Sequence, residues 1–362
     1  MKIKRAGPQN TPAILRVSLV LLVSCYSLFT IYYSLLLLGG AGMPINEHQT
    51  MRGVFTPSEV DRLIITVITD NYYDSVRVNP PSGKRLKASP GVSIHAEHGL
   101  SYHVETVVDN RSYFFMFDYG LDPIGVMNNI ELLGIDLGKV NAFGLSHGHF
   151  DHWSGMIDIL ERGAPGTPLY VGEETFVHRY ALRPGSEELT DLEQLEREAI
   201  EKQGIARIVE VREPVEVIPG CYMTGQIERV TEYEKGSPYL LIKRDKELEQ
   251  DYFPGEQALV CSVKGRGLVV ISGCAHAGII NTVRHAQKIT GIGKVHVVIG
   301  GFHLVNAAPE IIERTVADMQ EIGPDHIIPA HCTGFEAILS FASKMPHQFV
   351  LNTAGVQYTF GA

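Results

Sequence analysis

A layered α/β fold behind a single membrane-crossing helix is what these 362 residues predict, on three observations. Residues 17–38 carry no charge. From residue 63 onward, short β-branched runs alternate with segments of helical spacing, the rhythm of sheets covered by helices. Between one such strand and one such helix stand three imidazoles and a carboxylate within six positions: His147, His149, Asp151 and His152.

The expected organisation is a basic flank at 1–16, an anchor at 17–38, a polar tether at 39–62 and one domain at 63–362. As a helix the uncharged run would be about 33 Å long, enough to cross a bilayer and too long for a signal-peptide core. Lys2, Lys4, Arg5 and Arg16 precede it, which places the N-terminus in the cytoplasm and the domain on the non-cytoplasmic side. Two cleaved forms compete with the anchor, a lipoprotein box at Leu22-Val23-Ser24-Cys25 and a signal-peptidase site at Gly39-Gly40-Ala41-Gly42. Acidic residues (41) outnumber basic ones (31) and no basic cluster occurs beyond the N-terminal flank, so nucleic acid is not expected as a partner. Five dispersed cysteines without a Cys-x-x-Cys signal neither a disulfide framework nor a thiolate zinc clip.

Within the domain, residues 63–69 read as a buried strand closed by Asp70-Asn71, and the Pro- and Gly-rich residues 80–90 as a loop. Residues 102–108 and 112–118 flank Asp109-Asn110-Arg111 as a hairpin. Residues 123–133 predict a helix stopped by Gly134, 140–145 a strand, 156–160 a helical segment and 168–171 another strand. Leu189, Leu192, Leu195 and Ile200 at helical spacing predict an acidic helix over 187–203, a solvated face or part of a lid. Short strands and turns fill 208–244. Residues 257–263 and 268–272, joined by Gly265-Arg266-Gly267, form a second hairpin, and strands at 294–299 and 325–328 follow.

The imidazole cluster implies a metal centre. In an extended loop alternate side chains point the same way, so His147 and His149 share one volume while Asp151 and His152, at the turn into a helix, face a neighbouring one. That arrangement serves two divalent transition metal ions, zinc first, with iron or manganese as alternatives. A His-rich set with one carboxylate points to a catalytic centre rather than a structural one. The second hairpin runs into Gly273-Cys274-Ala275-His276, which makes His276 a fifth expected ligand. His303, at the carboxyl end of a strand, is placed for substrate contact, ligation or a structural role.

The run His147-Gly148-His149-Phe150-Asp151-His152 resembles the His-x-His-x-Asp-His signature of the metallo-β-lactamase superfamily. With Ala96-Glu97-His98-Gly99-Leu100-Ser101, Ser272-Gly273-Cys274-Ala275-His276-Ala277-Gly278, Gly300-Gly301-Phe302-His303-Leu304 and Pro329-Ala330-His331-Cys332-Thr333-Gly334, it resembles one branch of that superfamily. That branch is named after a dihydropterin-ribofuranosylaminobenzene-phosphate synthase, and the resemblance runs from about residue 63 to the end. It implies an αββα four-layer sandwich, His331 as the sixth metal ligand, Asp118 bracing the metal loop from behind, and Asp70-Asn71 near the pocket. His98 lies in one of the family words, and His326, inside a strand, is expected to pack. One departure stands out: many members carry a bridging Asp where this chain has Cys274. His276 with a water as sole bridge, a Cys274 thiolate, or one firmly and one loosely held metal would each satisfy the pattern.

The chemistry expected of such a centre is hydrolysis of a small ester, lactone or phosphoester by a metal-activated hydroxide, with Asp151 both a ligand and the group that orients the hydroxide and moves its proton. Formation of a carbon–nitrogen bond on a pterin is the alternative that the resemblance implies. A metal-binding sensor without turnover is a third reading. The oligomeric state is left open.

Overall fold

The computed structural model describes residues 54–362 apart from residue 184; the expected flank at 1–16, anchor at 17–38 and most of the tether at 39–62 lie outside the described residues. Among the described residues no helix is long and apolar enough to cross a membrane.

Two sheets face each other. The first has eight strands in the order Ala206–Val211, Thr167–Gly172, Ala142–Gly144, Arg111–Phe117, Ser101–Val108, Arg62–Thr69, Val356–Gly361 and Gly83–Arg85. The second runs Val215–Ile218, Cys221–Met223, Ala258–Val263, Gly267–Ser272, Val295–Gly301 and His326–Ala330, with Glu59–Val60 pairing Ala258–Val263 in parallel. Leu63, Ile65, Val67, Tyr102, Val104, Phe115 and Phe117 of the first sheet interlock with Val217, Cys261, Val263, Val269, Ile271, Val297 and Ile299 of the second, all of them buried. This alternation is what a strand with one face on the core demands.

The opposite face of each sheet is covered by helices. Met116, Phe143 and Leu169 of the first sheet, with Leu145 just beyond it, pack with Val126, Ile130, Met156 and Ile159 of the helices Pro123–Leu133 and Met156–Leu160. On the second, Val260, Val270 and Val298 pack with Ile280, Val283, Val316 and Phe341 of Ile279–Thr290, Pro309–Ile322 and Phe335–Lys344. The layers are therefore helix, sheet, sheet, helix, as the resemblance implies.

The Asp109-Asn110 hairpin forms as expected, with φ of 50° and 61° at the two turn residues, the mirror-type turn that Asn and Asp tolerate. The helix Pro123–Leu133 starts at the Asp122 cap and stops at left-handed Gly134. Four expectations are corrected. The ladder expected over 140–145 is confined to Ala142–Gly144, because Val140 closes the 3-10 turn Leu137–Lys139. The loop at 80–90 contains Gly83–Arg85, which pairs with Val356–Tyr358 as the sheet edge. Packing reaches back before residue 63, since Val60 is fully buried and Phe55 N–H donates to Ile289 O. Of the helix expected over 187–203 only Arg197–Gln203 forms, and Leu189–Asp191 is a strand in a separate four-stranded sheet with Arg179–Leu182, Leu240–Arg244 and Glu247–Gln250. The Asp191 carboxylate accepts Glu193 N–H at 2.7 Å and meets His178 at 2.6 Å, local bonds that compete with helical ones.

Candidate metal centre

Strands of both sheets deliver the site from their carboxyl ends, where ligands of α/β sheets collect. Asp70 follows Arg62–Thr69, Asp118 follows Arg111–Phe117, and His147 lies just beyond Ala142–Gly144. From the other sheet, Cys274 follows Gly267–Ser272, His303 follows Val295–Gly301, and His331 follows His326–Ala330. Asp118, Ala275, His303 and His331 all have φ between 45° and 61°, a left-handed conformation that costs a residue other than glycine about 1–3 kcal/mol.

The structure brings the expected residues together in two sets. In the first, His147 Nε2 lies 3.1 Å from His149 Nδ1 and 3.2 Å from His276 Nε2. In the second, Asp151 Oδ2 lies 3.2 Å from His331 Nε2 and 3.8 Å from His152 Nε2. His98 stacks on His331 at 4.9 Å with its Nε2 3.7 Å from Asp151; its side chain is 61% exposed, which places it at the mouth. His303 lies beside the first set, its ring 4.2 Å from that of His276. His326 stands apart, ring to ring with His296.

Outward-facing nitrogens are pinned. Asp118, fully buried, accepts Ser146 N–H at 2.7 Å and Ser146 Oγ–H at 2.8 Å, and its Oδ2 meets His152 Nδ1 at 2.6 Å. With its proton given to Asp118, Ser146 Oγ accepts from His147 Nδ1 at 2.9 Å. Asn71 Oδ1 lies 3.3 Å from His331 Nδ1, and Asp70 accepts His331 N–H at 2.9 Å. These partners take the Nδ1 proton of His147, His152 and His331 and turn each Nε2 inward, as orienting partners of metal-bound histidines do. Asp118 and Asp70-Asn71 thus stand where the resemblance implies.

Several residues on which the site depends were not singled out from the sequence. Glu256 accepts the backbone N–H of His276 at 2.7 Å and of Ala277 at 2.6 Å, and burial raises its carboxyl to about 7 against those bonds. Phe253 stacks on His276 at 3.9 Å and meets His147 and His149 edge-on. Arg179, buried and paired with Asp251 at 2.9 Å, donates to the carbonyls of Thr175, Val177 and Glu174 beneath the loop. A Cβ on Gly148 would sit 2.2 Å from the Arg179 guanidinium, so the loop needs glycine there. Cys332 places Sγ 3.1 Å from Cys274 Sγ, which itself lies 3.1 Å from His152 Nε2.

Electrostatics favour a cation. Burial, reinforced by neighbouring histidines and, at His149, by Arg179 against the opposing Asp151, holds His147, His149 and His276 well below the usual imidazole range, so all three are neutral donors at pH 7. Burial opposes charge on His152 as well, but the Asp118 and Asp151 carboxylates overcome it and raise the group to about 9. Burial likewise works against ionised Asp151, yet His152 and His331 hold it far below the carboxylate range. A pocket that grips a proton this way presents negative potential that a metal ion can use instead.

The donor set fits metal. Bonds of about 2.0–2.1 Å in a tetrahedral site put neighbouring nitrogens about 3.3 Å apart, close to the spacings within the first set. The described residues offer His147/Cys274/His276, His152/Cys274/His331, Cys274/His303/Cys332 and His98/Asp151/His331 as groups able to hold an ion.

Tm1679, a metal-dependent hydrolase of the beta-lactamase superfamily, superposes with a TM-score of 0.65 over 83% of this chain and 100% of that one at 23% identity, which shows the metallo-β-lactamase α/β fold. No protein-family model matches the chain. The 7,8-dihydropterin-6-methyl-4-(beta-D-ribofuranosyl)-aminobenzene-5'-phosphate synthase of Methanocaldococcus jannaschii is 32% identical over 263 residues, 72% of this chain and 89% of that protein. An uncharacterized protein of the same organism is 30% identical over 243 residues, 67% of this chain and 86% of that protein. This chain belongs to the metallo-β-lactamase superfamily, in the branch that holds this synthase.

Proposed function

We propose that the protein is a metal-dependent hydrolase of a small ester, lactone or phosphoester, holding two divalent transition metal ions, zinc first, with iron or manganese as alternatives. The observation that carries this reading is the pair of facing donor sets, His147/His149/His276 and Asp151/His152/His331, with Nε2 of His147, His152 and His331 turned inward. Bound there, divalent cations polarise a substrate oxygen and bring a water's pKa down toward 7.

The chain's own residues supply the rest. Asp151, ionised and at the edge of the second set, accepts and passes on the proton of the attacking water. His98 at the mouth and His303 beside His276 contact the substrate; His303 also meets Cys332, and among the described residues its buried Nδ1 has no hydrogen-bond partner. A cavity of about 430 Å³, lined in part by Arg229, Tyr252, Phe253 and Ala277, adjoins the first set and has the volume for a small molecule.

The 32% identity to the synthase favours a second reading, carbon–nitrogen bond formation on a pterin, in which the same cations would hold a phosphate. Product analysis separates the two. Metal-loaded enzyme is offered a panel of esters, lactones and phosphodiesters in parallel with a dihydropterin and ribofuranosylaminobenzene phosphate. Turnover of the panel supports the hydrolase, a coupled pterin product replaces it with the synthase, and bound metal with no turnover on either replaces both with a silent binding module.

From the uncharged run at 17–38 we also propose a single-pass anchor with the domain on the non-cytoplasmic side. Protease added to intact cells should degrade the domain, and recovery of full-length chain in a detergent-free soluble extract overturns the anchor.

A further inference from the structure

Resting on the two-metal reading, the geometry points to Cys274 as a thiolate that bridges the two cations, in place of the carboxylate many relatives use. The inference concerns one atom and its position. Cys274 Sγ shares a sphere of 4.8 Å with ligand nitrogens of His147 and His276, and shares another with those of His152 and His331. Among the described residues it is the one donor common to a triad from each set, so it stands between them. Its distance to His152 Nε2 is 3.1 Å.

The backbone holds the sulfur there. A Cβ on the preceding Gly273 would lie 2.2 Å from Ser146 Oγ and 2.9 Å from Asp118 Oδ2, so this strand end is pressed directly against the metal loop and its bracing carboxylate. Gly301 permits the approach from the other side, where a Cβ would meet Gly273 O at 2.4 Å and Cys332 Sγ at 2.7 Å. Cys332 is the other thiol within reach, yet among the described residues it groups only with Cys274 and His303 and with no histidine of either set. Its Sγ lies 3.1 Å from Cys274 Sγ.

Binding as a bridge requires Cys274 to lose its proton to solvent as the cations enter. A thiolate bridge also changes the preferred metal. Sulfur donors favour zinc, iron and cobalt over manganese and magnesium, whereas a carboxylate bridge would not discriminate in this way. The centre is therefore a mixed imidazole, carboxylate and thiolate site rather than an all-nitrogen-and-oxygen one.

Cobalt titration of the full-length chain tests this, because thiolate-to-cobalt charge transfer gives a near-ultraviolet band that imidazole and carboxylate do not. The band should grow through both equivalents, persist in Cys332→Ser, and vanish in Cys274→Asp, which should still take up two cobalt ions. Growth that saturates at one equivalent makes Cys274 a terminal ligand and overturns the bridge. Two bound cobalt ions without the band, or a band lost in Cys332→Ser, overturns the assignment to Cys274 while leaving the two-metal reading intact. Failure to bind any cobalt sinks that reading itself.

Discussion

The two donor sets are held by different balances of packing and hydrogen bonding. His147, His149 and His276 sit in an apolar setting, with the Phe253 ring flat on one imidazole and edge-on to the other two, and His276 Nδ1 has no hydrogen-bond partner. Asp151, His152 and His331 sit in a polar one, tied to Asp118, Asp70 and Asn71. Packing dominates around the first set, where Ser146 at His147 Nδ1 is a polar tie, and hydrogen bonds dominate around the second. Packing tolerates a change of pH or a conservative substitution; a buried hydrogen-bonded carboxylate does not, because its loss leaves charges uncompensated.

The largest expected effect comes from removing a donor outright. His147→Ala should release the cation of the first set and His331→Ala that of the second, each lowering turnover by about a thousandfold or more while leaving the other set occupied, as read by metal analysis and assay. Loss of both ions from either single variant would break the division into two sets. Next comes Asp118→Asn, which keeps the shape but offers an amide to His152. Cation affinity of the second set should fall about 10- to 100-fold. Ser146→Ala, which removes the partner of His147 and one of the donors to Asp118, should weaken the first set more than the second, and by less than Asp118→Asn weakens the second. If Asp118→Asn spares the second set, the hydrogen-bonded account of it is wrong.

Phe253→Ala sharpens the comparison from the other side. It should lower stability by about 3–5 kcal/mol through loss of a buried ring, seen as a drop in denaturation midpoint, yet change first-set affinity by less than about tenfold. The smallest effect concerns His103, which burial against Phe114 holds down to about 4. Its folded pKa lies below the unfolded value of about 6.5, so the unfolded chain binds the extra proton first. Stability from this group is present above pH 6.5 and lost as pH falls through 4, by at most about 3 kcal/mol. His103→Gln should flatten that part of the acid unfolding curve, and an unchanged curve would show that another group carries it. His326→Ala should leave the metal content as it is.

How much of this was readable in the chain depends on what kind of group acts. His147, His149, Asp151 and His152 announce themselves because their side chains do the work and such a cluster is rare in a plain loop. His276 was readable from its glycine turn, and His331 and Asp118 only through the resemblance. Glu256 and Arg179 were not readable, because they act on backbone N–H and carbonyl groups, and Phe253 acts with a ring face; none leaves a spacing to find. The sheets followed from β-branched runs. The stretch 187–203 was misread because its leucine spacing is helical while Asp191 binds its own neighbours and ends the pattern early.

One feature of the architecture reaches beyond catalysis. His147 and His276 are separated by 129 positions and rise from different sheets, so an ion held by the first set would act as a clasp across them. Whatever binds only the joined form adds to cohesion by mass action, about 2.7 kcal/mol at a free concentration a hundred times the dissociation constant. Chelation would then loosen the whole sandwich, and metal supply would set the lifetime of the protein as well as its activity.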